Sequence, residues 1–330
     1  MASYRNQGRQ EKMAMKQLWV TGARGFIGRH VARAFAKAGW SVLGVGHGRW
    51  NQTEARLWGV QYWHESDITH EALRMLIAKG GCPDAIFHAA GGSSVGQSVE
   101  HPLRDFDRTV RTTAVFLDAV HELASDTLMI LPSSAAVYGV AGSGPINELA
   151  PLAPMSPYGL HKHLAEQLVR GANQLFGLRY AIIRYFSVYG PGLRKQLLWD
   201  LAQKLSSCER EIVLSGTGEE TRDFLHVEDA ARFAMTVVEK MKGSDSLIVN
   251  GGSGESVSVR YIAETLRRFL SPTTSIRFNG AQRAGDPLHY QADTQLMDSF
   301  RFRPRWRLEE GMAGYVDWLT EIDGNNRKCA

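Results

Sequence analysis

A parallel, doubly wound α/β sheet joined to a smaller C-terminal α/β lobe is the fold class this 330-residue sequence predicts. Three observations predict it. Short apolar runs recur at intervals that leave room for a helix between them, the spacing of strands in a parallel sheet. The first run passes straight into a glycine-rich turn and a helical pattern. After Tyr189-Gly190-Pro191-Gly192 the alternation changes character, which marks the beginning of a second lobe.

Composition sets the bounds. With 44% hydrophobic and 22% charged residues the chain can bury a large core. A formal net charge of +4 with no concentrated Lys/Arg run suits an anionic small molecule; a nucleic-acid footprint would be clustered. Cys82, Cys208 and Cys329 lie far apart. They show neither metal spacing nor a disulfide framework, so no metal is expected and a reducing, cytoplasmic setting is. No apolar stretch approaches the ~20 residues of a membrane span. Residues 1–15 are polar, lack a signal-peptide core and are expected to be a disordered tail, with Met13 and Met15 as alternative starts.

Gln17 to Val20 reads as a buried strand. Thr21-Gly22-Ala23-Arg24-Gly25-Phe26-Ile27-Gly28 follows, then a helical pattern from Arg29 to Ala38. Glycines there permit a tight turn and close backbone approach, and the helix N-terminus faces a pyrophosphate, as in Rossmann-type dinucleotide folds. Ser41 to Val45 is the second strand, ending in Gly46-His47-Gly48-Arg49. An Asp or Glu at this place would hold the adenosine ribose; none is present. His47 and Arg49, with Arg24 in the loop, suit a 2′-phosphate and favour NADP. The other reading keeps both arginines as solvated surface residues with NAD bound.

Val60 to His64, the third strand, leads to Asp67-Ile68, an adenine contact. Ala85 to His88, the fourth, ends in Ala89-Ala90-Gly91-Gly92, small enough for the backbone to approach a cofactor. A helix over Leu103 to Leu123 precedes the fifth strand, Leu128 to Leu131, with Ser133 and Ser134 at its C-terminal end, where open parallel sheets bind ligands. Pro157-Tyr158 opens a helix running to Phe176, and Arg179 to Arg184 is the sixth strand.

On that helix Tyr158 and Lys162 share one face, a turn apart. A free tyrosine has a pKa near ~10, and a nearby ammonium lowers it. The pair then makes a proton acceptor for an alcohol while hydride leaves its carbon, with a serine hydroxyl to orient the reacting oxygen.

Beyond Gly192 the pattern gives a helix from Lys195 to Ser206, strands at Ile212 to Leu214 and Leu247 to Val249, and a helix ending at Lys240. A further helix covers Val259 to Leu270, a strand Ser275 to Phe278, and Arg283-Ala284-Gly285-Asp286-Pro287 follows. The expected division is a dinucleotide-binding domain over 16–191, with 224–255 returning to it, and a second lobe over 192–223 and 256–330.

Thr21-Gly22-x-x-Gly25-Phe26-Ile27-Gly28, Asp67-Ile68, His88-Ala89-Ala90, Ser134-Ala135-Ala136-Val137-Tyr138-Gly139, Tyr158-x-x-x-Lys162 and Arg184-Tyr185-Phe186-x-Val188-Tyr189-Gly190-Pro191 occur in one order. The set resembles the extended short-chain dehydrogenase/reductase family, in its nucleotide-sugar epimerase/dehydratase branch, over nearly everything from Lys16 to Leu319. The resemblance implies Tyr158 as catalytic acid/base and Ser134 as its hydroxyl partner. Lys162 would bind the nicotinamide ribose and tune Tyr158, beside a cofactor site that includes Ala89, Ala90 and Gly91. It further implies Arg222, Arg283 and Asp286 at the substrate's diphosphate and ribose, where an arginine's planar fork suits paired phosphates. The competing reading of each arginine is an ion pair with Asp223 or Asp286. Tyr138 is read as a pocket wall near the sugar or as packing, and His226 as structural.

Three departures refine this. Ala135-Ala136 stands where family dehydratases carry an acidic pair, so 4,6-dehydration is not expected. Ser187 replaces the Asn usual before Val-Tyr-Gly-Pro in UDP-galactose-type epimerases. Arg194 and Lys195 in Gly192-Leu193-Arg194-Lys195-Gln196 are unlike theirs, and either contact the nucleotide or face solvent. The leading expectation is a nucleotide-sugar 4-epimerase, with an NADPH-dependent 4-ketoreductase as the close alternative and a non-catalytic NADP-sensing protein as the remote one. A homodimer is expected, pairing the helix Leu103 to Leu123 and the helix after Tyr158 through Phe106, Val110, Ala114 and Leu117.

Overall fold

The computed structural model describes residues 15–140, 142, 144–207, 210–241, 246–281 and 288–327. The N-terminal tail, Cys208, Cys329, Arg283 and Asp286 lie outside the described residues.

Seven strands form one parallel sheet. In chain order the first half runs β1 (Gln17–Thr21), α1 (Phe26–Lys37), β2 (Ser41–Gly46), α2 (Gln52–Leu57), β3 (Tyr62–Glu65), α3 (His70–Gly80) and β4 (Ala85–His88). Then come α4 (Val95–Glu100), α5 (Pro102–Phe106), a π-helical turn (Asp107–Arg111), α6 (Thr112–Leu123), β5 (Leu128–Ser134), α7 (Pro157–Phe176), β6 (Tyr180–Tyr185) and β7 (Ser187–Tyr189). The remainder is α8 (Gln196–Leu205), β8 (Glu211–Leu214), β9 (Thr221–His226), α9 (Val227–Lys240), β10 (Ser246–Gly251), β11 (Ser256–Ser258), α10 (Val259–Leu270), β12 (Ser275–Phe278), α11 (Gln295–Ser299) and α12 (Leu308–Arg327). The large sheet has the order β10-β6-β5-β4-β1-β2-β3, so the chain reverses direction between β1 and β4. That reversal opens a crevice at the strands' C-terminal ends.

The strands read as continuous apolar runs because both faces are covered. Successive residues alternate between two cores. Leu18, Val20, Phe87, Ile130 and Ile183 face α1 and α9, where Val31, Phe35, Phe233 and Val237 meet them. Trp19, Ile86, Met129, Leu131 and Ile182 face α3, α6 and α7, meeting Leu73, Leu76, Phe116, Leu117 and Val169. A third core lies in the C-terminal lobe, where Leu198, Leu201, Ile212, Phe224, Ile262, Leu266, Met312 and Tyr315 pack together. β10 lies in the large sheet, paired to β6 along Ser246–Gly251.

Two details refine the sequence reading. The helix expected over Leu103 to Leu123 is present, running as α5, a π turn and α6 without a break. Pro102 keeps the residue before it, His101, out of the helical conformation and starts a new helix, separating α4 from α5. The π turn then lets Thr109 and Val110 face inward. The segment Thr221–His226, to which the sequence reading assigned no element, is a strand, β9, lying between β7 and β11 in a three-stranded sheet.

Candidate active site

A single large cavity of about 1920 Å³ runs along the C-terminal ends of the sheet strands and into the second lobe. One ligand pocket typically measures ~300–1,000 Å³, so this cleft has room for two ligands end to end.

Its floor is the loop between β1 and α1. Gly22 takes φ +68°, and a Cβ there would press to 3.0 Å on the Ala89 and Ala90 backbone. A Cβ on Gly28 would collide with the Gly22 carbonyl. Both positions therefore require glycine. Thr21 Oγ1 lies 2.9 Å from His88 Nδ1 and accepts from the Ala90 amide at 3.1 Å, tying the small-residue strip after β4 to the loop. Helix α1 opens at Gly25 with no side-chain cap and no acidic residue in its first turn. Its orphan amides face the cavity with Gly22, Arg24, Gly25, Phe26, Ile27 and Gly28. Uncapped amides over a glycine cradle fit a dinucleotide pyrophosphate.

Tyr158 is set by the start of α7. Pro157 occupies the first helical position, Ser156 Oγ caps Gly159 N at 3.1 Å, and Tyr158 N donates to the buried Ser98 Oγ at 3.0 Å. The phenol shares the cavity wall with Ser134, at the end of β5. Lys162 Nζ donates to the Pro132 carbonyl at 3.0 Å and stands 6.0 Å from the Tyr158 ring centre. The three residues line the cavity together, across from the glycine loop. The electrostatics revise one expectation. Burial pushes the Tyr158 phenol above its ordinary value, the Ser134 hydroxyl opposes that, and Asp105 pushes it higher still. Burial brings Lys162 down to about 8, against the pull of Asp105 and Glu166. Lys162 is thus held by a main-chain carbonyl, and the Tyr158 phenol stands above its ordinary value rather than below it.

The remaining expected residues divide. Asp67, Ile68, Ala89, Ala90, Gly91, Ser187 and Arg222 line the cavity. His47 also lines it, but its Nε2 lies 3.0 Å from Asp67 Oδ1, so a carboxylate does stand at the end of β2, contributed by the loop after β3. Arg49 is exposed and absent from the lining; Arg24 instead lays its guanidinium over Gly48. Tyr138 is not a pocket wall. It is 1% exposed, its hydroxyl donates to Asn250 Oδ1 at 2.7 Å and accepts from Arg184 Nη1 at 3.2 Å, and burial pushes it up to about 12. On β9 neighbouring side chains point to opposite faces, so Arg222 reaches the cavity while Asp223 turns away. The Asp223 carboxylate accepts from the amides of Ser253, Gly254 and Ala292 and from the Ser253 hydroxyl, at 2.6–3.0 Å. His226 caps α9, stacks on Trp306 and is brought down to about 4 by burial, a structural role.

Lys195 faces the cleft, and burial together with repulsion from Lys162 lowers it to about 8. Arg194 is exposed at the rim over the Trp318 ring. Gln196 takes φ +66° and donates to the Ser93 carbonyl at 3.4 Å, linking α8 to the loop after β4. Tyr290, which also lines the cavity, belongs to no motif that pointed to it in the sequence. Among the described residues no group of three His, Cys, Asp or Glu could hold a metal ion, and no helix is long and apolar enough to cross a membrane.

A glycine-loop cradle facing a Ser–Tyr–Lys set defines a nicotinamide-dependent enzyme of the extended short-chain dehydrogenase/reductase type. The chain belongs to the NAD-dependent epimerase/dehydratase family, whose model matches residues 18–252. It is 31% identical over 291 residues to a UDP-glucose 4-epimerase of Azospirillum brasilense, covering 83% of each chain. It is 28% identical over 318 residues to a UDP-glucuronate 4-epimerase of Thermodesulfobacterium geofontis, covering 92% of this chain and 95% of that one. The solved UDP-glucose 4-epimerase of Brucella ovis, in complex with NAD, superposes with a TM-score of 0.81 at 28% identity over 91% of this chain and 97% of that one.

Proposed function

We propose that the protein is a nucleotide-sugar 4-epimerase acting reversibly at C4 of a nucleoside-diphosphate hexose. The observation that carries this is the shared cavity. It joins a dinucleotide cradle, a Ser–Tyr–Lys set and Arg222 of the second lobe, with room for two ligands. The glycine loop and the α1 amides would hold the pyrophosphate, Asp67 and Ile68 the adenosine end, and Tyr158 and Lys162 the nicotinamide ribose. A nicotinamide dinucleotide bound there supplies a reversible hydride acceptor for the sugar carbon.

The chain's own residues do the rest. Tyr158 takes the proton from the 4-hydroxyl and returns it, and the Ser134 hydroxyl, beside the phenol, orients that oxygen. Lys162, fixed on Pro132, lends positive charge to the emerging oxyanion. Arg222 offers a planar fork to the substrate diphosphate, with Ser187 beside the sugar; Arg283 and Asp286 are proposed to complete the nucleotide site. Ala135-Ala136 puts no acidic side chain directly after Ser134, which argues against dehydration. The purified chain is expected to interconvert a UDP-hexose with its 4-epimer without net consumption of dinucleotide. Stoichiometric consumption of NADPH with a 4-keto sugar would favour the reductase instead.

For the dinucleotide, Arg24 over Gly48 supports NADP, each charge-assisted arginine–phosphate hydrogen bond contributing ~1.5–3 kcal/mol. Calorimetric titration should show NADP binding more tightly than NAD, with Arg24→Ala abolishing the difference; equal affinities in the parent chain would refute the preference.

We further propose a homodimer through α4, α5 and α7, which expose Val99, Leu103, Phe106 and Leu160. Val110 and Leu117 are buried within the chain and cannot take part. Sedimentation at micromolar concentration should give twice the chain mass, and a monomer there would remove the proposal.

A further inference from the structure

The loop between β7 and α8 carries the chain into the second lobe, and it touches the dinucleotide-binding half at three points. The Pro191 carbonyl lies 3.0 Å from His30 Nε2, on α1. A Cβ on Gly192 would come within 3.6 Å of the Phe26 ring, in the first turn of α1. Gln196 Nε2 donates to the Ser93 carbonyl, in the loop after β4. Lys195 stands between the second and third of these contacts. It is the N-cap of α8, with extended backbone and no side-chain capping hydrogen bond. Its side chain is half-buried and lines the cleft.

Among the described residues the Lys195 ammonium has neither a hydrogen-bond acceptor nor a carboxylate for a partner. An ammonium drawn out of water with no opposite charge is costly to keep, unless an anion arrives to meet it. The cations of the glycine turn are directed elsewhere. Arg24 lies over Gly48, and Arg29 folds its guanidinium back onto the carbonyls of Arg24 and Gly25. Arg108 and Arg111 on the π turn are exposed, and Arg111 lies 3.9 Å from Asp107. Lys162 is held by the Pro132 carbonyl. Lys195 therefore faces, from the other lobe, whatever anion is seated on the α1 amides.

We propose that Lys195 binds the pyrophosphate of the dinucleotide, so that the second lobe supplies a counter-charge across the glycine turn and clamps the cofactor. The inference rests on the glycine turn holding a nicotinamide dinucleotide, as read above. Helix α8 buries Leu198 and Leu201 in the core of the second lobe, so Lys195 is carried by that lobe. Gln196 has left-handed backbone at φ +66°, a strained conformation for a residue with a side chain, of the kind found at ligand clamps. The reaction proposed above returns hydride from the same cofactor molecule that took it. A residue that slows release of that molecule keeps the keto sugar from being stranded between the two half-reactions.

The experiment titrates NADP, NAD and UDP separately into the full-length chain by calorimetry, with Lys195→Met and Lys195→Arg beside the parent. Both dinucleotides carry the pyrophosphate, so Lys195→Met should weaken each of them roughly tenfold, the size of one hydrogen bond to a charged group. Lys195→Arg keeps the cation and should stay within about threefold of the parent. Added salt should weaken dinucleotide binding less in Lys195→Met than in the parent, because the charge it screens is gone. UDP should bind all three chains alike. Unchanged dinucleotide affinity in Lys195→Met overturns the proposal. A loss of UDP affinity as large as that of the dinucleotides, or larger, also overturns it, because Lys195 would then belong to the substrate's diphosphate. An equal loss in Lys195→Arg does so too, since packing and not charge would be responsible. A parent chain that binds dinucleotide yet epimerises no sugar nucleotide defeats the functional reading, while these titrations still judge Lys195.

Discussion

Tyr158→Phe should abolish turnover while leaving dinucleotide and sugar-nucleotide binding nearly intact. The ring is retained, and the Tyr158 amide keeps its bond to Ser98, so α7 starts in the same place. What is lost is the hydroxyl that carries the C4 proton, and positioned proton transfer contributes ~10²–10⁴-fold. Ser134→Ala should also be severe, because its neighbour cannot deputise: the Ser133 hydroxyl is committed to Glu166 at 2.5 Å. Lys162→Met should weaken dinucleotide binding as well. The measurement is turnover of UDP-, dTDP- and GDP-hexoses with product sugar analysis, beside calorimetric titration of both ligands. A Tyr158→Phe chain with the parent rate would sink the site assignment.

Arg184→Met should produce the largest loss of stability. Arg184 and Glu166 are 2% and 1% exposed. The guanidinium holds both carboxylate oxygens, at 2.8–3.3 Å, and its third nitrogen bonds the Tyr138 hydroxyl and the Glu148 carbonyl. Removing the cation leaves Glu166 as an uncompensated buried charge, which costs ~3–5 kcal/mol. For a chain of this size that lowers the melting temperature on the order of 10 °C. Because Glu166 also grips Ser133, one residue before Ser134, catalysis should fall further than the fraction unfolded explains. A melting temperature within roughly 2 °C of the parent would show that the pair contributes little.

The parts of this molecule that local chemistry specifies were legible in its sequence. β1, β4, β5 and β6 read correctly because strands buried on both faces need near-continuous apolar runs. The glycine loop read correctly because collisions at Gly22 and Gly28 exclude other residues. What failed depended on contacts between distant positions. β9 is polar and finds its place only between β7 and β11. The Asp67 carboxylate reaches the end of β2 from the loop after β3, which no reading of Gly46 to Arg49 alone could find. Tyr138 resembled a pocket residue until its hydroxyl was seen bonded to Asn250, far along the chain. Asp105 and His161 are likewise far apart in sequence, and only the composite helix after Ser94 brings them together. α3 went unread because its apolar face is short, although Thr69 caps it by accepting from the Ala72 amide.

The position of β10 at the margin of the large sheet has a consequence for the chain as it is made. Until Gly251 has left the ribosome, β6 offers a bare row of amides and carbonyls along Tyr180–Tyr185. At ordinary synthesis rates of ~5–20 residues per second, the stretch from Phe186 to Gly251 takes several seconds to emerge. Throughout that interval the N-terminal half is a sheet with an open, apolar border, a template for pairing with other nascent chains. A message truncated before β10 should therefore yield aggregate rather than a free-standing nucleotide-binding half. The part of the second lobe that lies between β6 and β10, α8 and β8 among it, emerges and waits while the first domain is still unfinished.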